Sequence, residues 1–460
     1  MNSLVDLPAA GVGEIAVIGL ARSGRGVAKL LRRKGYAVYA SDAAPSDEFA
    51  SCLSELGALG IEAQADGHDL ERIGRSALVV VSPGVPPNAP PLELARARGI
   101  RVVSEVEVAL HFLQSSSVIA VTGTNGKTTT TALIAHILQQ INGDAIEAGN
   151  IGTALSEVAL AERHPAWIAL EMSSFQLHDT PSLQPLVGVL TNLSPDHLDR
   201  YSSVEDYYAD KARLFSSAHS GSRWVLNGDD PLVRDMTTGV SGEHHVFSVR
   251  READAFYETA RDELVLLGAP LVARQDLPLL GQHNVANALA ASLAVAVADP
   301  SHATRESRLR IAAALKTFRA LPHRLELVGE FAGVQWINDS KATNVSSTRV
   351  AIDGMERPTV LLLGGRHKGE PYTPLLNGIR RTVKKVIAYG EAARLIERDL
   401  GRDVALEVNE GGFDEAVGAA RAAAREGEAV LLSPACSSYD MFRNYEERGE
   451  RFRALAGGGR

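Results

Sequence analysis

The stretch VIAVTGTNGKTTTTALIAHIL, residues 118–138, runs an apolar segment into a glycine-bearing turn, then Lys127-Thr128, then a helical pattern. Strand, turn and helix in that order hold phosphates with backbone N–H groups and the positive end of a helix. The common phosphate loop is G-x-x-x-x-G-K-[ST]. Gly126-Lys127-Thr128 fits its end, but the position five before Gly126 is Val121, and Gly123 follows two places later. The loop Gly123-Thr124-Asn125-Gly126-Lys127-Thr128-Thr129 is therefore a variant. Backbone N–H groups from Gly123 to Lys127 can still face a concavity. Lys127 then meets the β- and γ-phosphates of a nucleoside triphosphate, and the Thr128 hydroxyl takes Mg²⁺.

Magnesium needs further oxygen ligands. Glu171 closes the apolar run WIAL, one strand along from the loop, where a charged side chain reaches the carboxyl edge of a parallel sheet. TNLSPDHLDR places Asn192, Asp196 and His197 in the turn after the next strand, and a helix in SVEDYYADKARLF carries Lys211. Taken alone, His197 reads as a surface histidine and Lys211 as a solvent-facing helix lysine. Near the N-terminus, Gly19-x-Ala21-x-x-Gly24 copies a dinucleotide fingerprint with alanine at the second glycine, and Asp42 stands where a ribose-binding acid would. An NAD-dependent dehydrogenase is the competing reading there, but that glycine normally lets the backbone approach a pyrophosphate.

Positioning these groups takes a large α/β scaffold. At 460 residues the chain exceeds one core. Apolar-run-then-small-residue segments recur from EIAVIG through ALVVVSPG, AWIALEMSS and PLVGVLTN to PTVLLLGG and EAVLLSPACSS. Alternating strands and helices imply mostly parallel sheets. The expected division is 1–112, 113–320 and 321–460: an N-terminal Rossmann-like domain, a central P-loop ATPase-like domain and a C-terminal Rossmann-like domain. A β-richer segment around 245–280 decorates the middle one. Forty-seven basic against 56 acidic residues give a net charge of −9, which argues against a nucleic-acid or anionic-membrane surface. Two cysteines, Cys52 and Cys436, imply no disulfide framework. With no long apolar run and no leader pattern, a cytoplasmic chain without membrane insertion is expected.

TGTNGKTTT, LEMSSFQL, TNLSPDHLDRY, HNVANALAA, PHRLE, NDSKATN and SPACSSYDMF, in this order, resemble the Mur ligase family of peptidoglycan synthesis. The resemblance spans residues from about 15 to 450. It implies ATP-driven activation of a peptide carboxylate as an acyl phosphate, then attack by an amino-acid amine. NDSKATN and SPACSSYDMF look like the branch that adds D-glutamate to UDP-N-acetylmuramoyl-L-alanine. It implies two Mg²⁺ ions, one held by Thr128 and Glu171, the other by His197 and a carbamylated Lys211. Asn284 and Asn287 match adenine-contacting residues, while Arg324 and Asp339 match residues that engage ATP. Lys341 steadies the acceptor side, and Thr343, Lys368, Ser438 and Tyr445 would receive D-glutamate. Asn150 faces the substrate. The N-terminal domain would hold the UDP end through Ala21, Arg22, Ser23, Gly24, Asp42, Ser82 and Gly84. Ala21 and Ala43 depart from the family pattern at the diphosphate and uracil contacts. The expected protein is a monomer.

Three rivals compete with this reading. Folylpolyglutamate synthase shares the loop but not the 100-odd residues of βα pattern before it. Another Mur ligase, adding L-alanine or a diamino acid, is closer still, and those that add a diamino acid carry Asp-Asn-Pro-Arg, which is absent. A nucleotide-gated switch would leave the extra metal ligands unexplained.

Overall fold

The computed structural model describes residues 7–196 and 200–457, and every count or absence below refers to these. The N-terminal strands are β1 (Glu14–Ile18), β2 (Ala37–Ser41), β3 (Glu62–Gln64), β4 (Leu78–Val81) and β5 (Val102–Ser104). They pair in parallel in the order 3-2-1-4-5. Runs such as LVVV in β4 are buried throughout, as strands covered on both faces must be. The order reverses between β1 and β4, and the helix Arg22–Arg33 starts at that switch point.

The second sheet holds β6 (Ser117–Thr122), β7 (Ala145–Gly149), β8 (Trp167–Glu171), β9 (Val187–Leu190), β10 (Arg223–Asn227), β11 (Glu243–Ser248), β12 (Ala255–Glu258), β13 (Glu263–Leu266) and β14 (Ala269–Ala273). Its order is 14-13-12-11-10-9-6-8-7, so β6 lies between β8 and β9. The pairs β12–β13 and β13–β14 are antiparallel, which makes 255–273 a meander added to a parallel sheet. The Ala-rich helix Gln282–Ala298 buries residues on every side, from Ala288 and Leu289 to Val295 and Ala296. The third sheet holds β15 (Glu326–Phe331), β16 (Val334–Asn338), β17 (Thr359–Gly364), β18 (Val383–Tyr389), β19 (Leu406–Val408) and β20 (Ala429–Leu432). Its order is 15-16-20-17-18-19, parallel except at β15–β16.

The chain divides into two compact units, 1–276 with 286–316, and 277–285 with 317–460. The first two sheets thus belong to one unit, and polar groups join them. Gly26, in the helix Arg22–Arg33, passes so close to the helix Leu155–Leu160 that a Cβ there would lie 2.6 Å from Ser156 Oγ. Glu105 Oε1 accepts from Ser156 N at 2.5 Å, Ser182 N donates to Glu107, and Ser104 Oγ meets Thr180 Oγ1 at 2.6 Å. Burial pushes the Glu105 carboxyl up to about 7, with Ser156 offsetting part of the cost. Among the described residues, no helix is long and apolar enough to cross a membrane.

Candidate active site

β6 delivers the chain to Gly123 (φ +144°) and Gly126 (φ +82°), left-handed conformations that glycine adopts without a Cβ penalty. A Cβ on Gly123 would lie 2.0 Å from Thr191 Oγ1, and one on Gly126 2.4 Å from Asn287 Oδ1. The helix Lys127–Asn142 begins directly after Gly126. The turn is held from the end of β9: Thr124 N donates to Asn192 O at 2.8 Å, and Asn125 N to Asn192 Oδ1 at 2.9 Å. Thr191 Oγ1 and Asn192 Nδ2 both donate to Asn125 O, at 2.6 and 2.9 Å. Thr124 Oγ1 donates to Ser194 O at 3.0 Å.

This differs from the sequence reading in one respect. The Thr124 and Asn125 amides turn inward to Asn192, so these two do not face a concavity. Asn192 and Thr191 were legible only as loop residues. Their job as scaffolding for the turn needs β6 and β9 to be neighbours, which local pattern does not report.

Lys127 Nζ donates to Gly123 O at 2.9 Å and Thr124 O at 2.7 Å. Lys211, on the helix Val204–Ala212, donates from Nζ to the same Gly123 O at 2.7 Å. Its side chain is not solvent-facing: Lys211 is 1% exposed, with Nζ 4.6 Å above the Tyr207 ring. Burial, and then the neighbouring Lys127, hold its pKa well below the usual lysine range, against the opposing pull of Asp196, Glu171 and Asp210.

Glu171, 2% exposed at the end of β8, accepts from Asn150 Nδ2 at 2.8 Å through Oε1. Its Oε2 is buried without a hydrogen-bond partner. Such an orphaned carboxylate oxygen suits a hard divalent cation. Among the described residues no three His, Cys, Asp or Glu side chains cluster to hold a metal, so a cation here must draw on hydroxyl, phosphate or modified-lysine oxygens as well. His197 lies outside the described residues. Lys211 as an ammonium is a donor and does not fit a metal. Asn284 and Asn287 are buried on the helix Gln282–Ala298, and Asn287 Oδ1 accepts from Thr130 Oγ1 at 3.3 Å.

A neighbouring cluster went unread in the sequence. Asp210 accepts from Arg213 Nε at 3.0 Å and from Tyr201 OH at 3.0 Å, and pairs with His178 Nδ1 at 2.7 Å. It lines a cleft of about 370 Å³ together with Ser82, Val85, Phe175, Tyr201 and Arg213. His178 and Asp210 lie 32 positions apart, so no local spacing announced the pair.

In the N-terminal sheet, Asp42 Oδ2 accepts from Leu20 N at 2.7 Å and Oδ1 from Ala44 N at 2.9 Å. The acid therefore shapes the glycine turn itself. A Cβ on Gly24 would lie 1.8 Å from Gly19 O, and Ser82 Oγ donates to Gly19 O at 3.2 Å. Ala21 is the N-cap of the helix that continues through Ser23. Arg22 pairs across to Glu157 at 3.2 Å on the surface, while Gly84 O accepts from Arg200 at 3.4 Å.

The second unit gathers its own set. Asp339, buried after β16, accepts from Leu325 N at 3.2 Å and Ser433 Oγ at 2.7 Å, and burial pushes its carboxyl up to about 7. His323 (φ +63°) and Leu325 (φ +46°) flank Arg324 in left-handed backbone. Lys341 Nζ sits 3.8 Å above the Tyr445 ring, and Lys368 Nζ donates to Thr343 Oγ1 at 3.2 Å. Ser438 is buried nearby in sequence to Cys436, whose thiol meets Tyr372 OH at 3.0 Å and is pushed up to about 11 by burial. Cys436 is a packing residue.

Comparison with known proteins bears on all three sheets. Family models match residues 13–104 (Mur ligase MurD-like, N-terminal domain), 121–295 (Mur ligase middle domain) and 323–436 (Mur ligase, glutamate ligase domain). The UDP-N-acetylmuramoylalanine–D-glutamate ligase of Geotalea daltonii is 39% identical over 454 residues, 97% of this chain and 98% of that protein. That of Pelotomaculum thermopropionicum is 40% identical over 453 residues, 96% and 97%. The structure of UDP-N-acetylmuramate-alanine ligase MurC from Thermotoga maritima shares the fold, with a TM-score of 0.60 at 18% identity, covering 97% of this chain and all of that one.

Proposed function

Since this chain belongs to the Mur ligase family, we propose that it joins D-glutamate to UDP-N-acetylmuramoyl-L-alanine. It is an ATP-dependent, ADP-forming amide ligase of peptidoglycan synthesis. The observation that carries the reading is the convergence of Lys127 and buried Lys211 on the Gly123 carbonyl, at the head of a phosphate-type helix. Lys127 brings the positive charge that a polyphosphate needs, and Lys211 brings a second nitrogen to the same carbonyl.

In the reaction, an oxygen of the L-alanyl carboxylate bonds to the γ-phosphorus of ATP while the β–γ bridging bond breaks and ADP departs. The α-amine of D-glutamate then bonds to the activated carbonyl carbon, loses a proton, and orthophosphate leaves with the C–O electron pair. Little covalent chemistry falls to the protein, so positioning and charge neutralisation dominate. Lys127 offsets the charge on the transferring phosphoryl group. The loop from Gly123 to Thr129 and the buried amides of Asn284 and Asn287 receive the nucleotide, with Arg324 and Asp339. Thr128 and Glu171 would hold one Mg²⁺, and the orphaned Glu171 Oε2 fits that role. A second would use His197 and Lys211, once its neutral amine has added CO₂ with loss of a proton; burial favours that neutral form. Bound magnesium supplies charge neutralisation at the phosphates.

The UDP end would sit on the turn Ala21–Gly24 with Asp42, Ser82 and Gly84, and Asn150 would face the peptide. D-glutamate needs donors at two separated carboxylates; Lys341, Thr343, Lys368, Ser438 and Tyr445 provide them. The reading divides the protein at 112/113 and 320/321 and takes it as a cytoplasmic monomer. Phosphate release from ATP tests it: release should require both UDP-N-acetylmuramoyl-L-alanine and D-glutamate. An ¹⁸O label in the peptide carboxyl should appear in orthophosphate. Release without an acceptor would favour a switch, and stimulation by folate a folylpolyglutamate synthase-like enzyme.

A further inference from the structure

Arg448, on the helix Tyr445–Ala456, is 0% exposed, and among the described residues none of its hydrogen-bond acceptors is a carboxylate. A buried guanidinium is costly even with the Asp339 carboxyl close enough to feel its charge, so what it grips matters. Nε donates to Ser340 Oγ at 2.9 Å and Nη2 to Ser340 O at 2.8 Å. Nη1 and Nη2 both reach Cys436 O at 3.2 Å, and Nη1 reaches Ser437 O at 3.3 Å. Ser340 lies beside Lys341, and Ser437 beside Ser438. Ser437 also exchanges two backbone hydrogen bonds with Arg366, at 2.9 and 3.1 Å, on the segment that leads to Lys368. Ser340 Oγ in turn donates to Tyr445 O at 2.8 Å.

We propose that Arg448 is the positioning residue of the acceptor site: its planar fork fixes the loops that carry Lys341, Lys368 and Ser438 relative to one another. The inference rests on the D-glutamate reading above. Asp339, on the nucleotide side of Ser340, has independent anchors in Ser433 Oγ, Leu325 N and its own N–H to Leu432 O at 2.8 Å. Losing Arg448 therefore loosens the acceptor loops, while Asp339 loses only an electrostatic pull and keeps these three anchors. Lysine cannot substitute, because one ammonium does not present five donors in a plane.

The test compares Arg448→Ala and Arg448→Lys with the parent chain, following phosphate release with ATP, UDP-N-acetylmuramoyl-L-alanine and D-glutamate. Both variants should raise KM for D-glutamate about tenfold or more, leave KM for ATP within about twofold, and the alanine variant should regain part of its D-glutamate affinity in millimolar guanidinium. Equal losses for ATP and D-glutamate, or an unchanged KM for D-glutamate, would overturn the proposal. Ser340→Ala, which deletes one acceptor without emptying the core, should show the same split in smaller measure. It decides the matter if the Arg448 variants do not fold, and no split there would overturn the proposal equally. Hydrogen exchange at 340–343, 366–368 and 436–438 should quicken in the variants whatever acceptor the parent uses. A parent chain indifferent to D-glutamate would sink the functional reading alone, whereas unchanged exchange would sink the clamp.

Discussion

Relative to the parent, Glu105→Gln should leave stability nearly unchanged at pH 4.5 and below, the ordinary glutamate value, and raise it above neutrality. The carboxyl is fully enclosed, with Oε1 on Ser156 N and Oε2 buried without a partner. Burial lifts its folded-state pKa from 4.5 to about 7. The native state therefore grips the proton more tightly than the unfolded chain does. Glu105 costs stability progressively as pH climbs from 4.5 through about 7, and the cost is constant beyond. At about 1.4 kcal/mol per pKa unit the full effect is about 3 kcal/mol, large against the 5–15 kcal/mol typical of a whole domain. Glutamine keeps the acceptor for Ser156 N at nearly the same volume and never ionises. Urea unfolding at several pH values measures the difference. Trp167 and Trp224 report on the first unit and Trp336 on the second, so only the former transition should move. A gain independent of pH, or one greater in acid, would refute the reasoning.

Lys127→Ala should lower kcat by roughly a thousandfold or more, by removing charge at the transferring phosphoryl group, with little change in melting temperature; near-normal turnover would count against it. Lys211→Ala should be almost inactive yet partly restored by short carboxylates, since the site calls for an oxygen ligand; restoration by amines would instead mark an ammonium role. Gly126→Ala forces a β-carbon into left-handed backbone and to 2.4 Å from Asn287 Oδ1. It should cost about 1–2 kcal/mol and weaken ATP binding, and calorimetry showing parental affinity would exclude the strain argument.

The sequence announced whatever is encoded within a few residues of itself. Gly126-Lys127-Thr128 after an apolar run located the phosphate turn, and the polar residue closing WIAL located Glu171. Alternating runs foretold parallel sheets. Groups defined by distant partners stayed hidden. Lys211 has the helical setting of any exposed lysine, and only its packing on Tyr207 and Gly123 shows it to be buried; family resemblance, not periodicity, singled it out. Asn284 and Asn287 read as surface amides for the same reason. Arg448 and Glu105 gave no signal, because a charged residue in a helix is solvated by default, and enclosure depends on contacts about 110 and 50 positions away. The inward turn of the Thr124 and Asn125 amides likewise depends on Asn192, 67 positions on from Asn125.

That inward turn has a thermodynamic consequence. Asn192, Thr191 and Ser194 hold Thr124 and Asn125 through groups of the protein itself, so the shape of the turn does not depend on contacts to a nucleotide. The advantage is symmetric: spent ADP meets the same finished cradle that ATP met. Product escape thus gains nothing from relaxation of the turn, and ADP should compete well with ATP until something outside the turn changes.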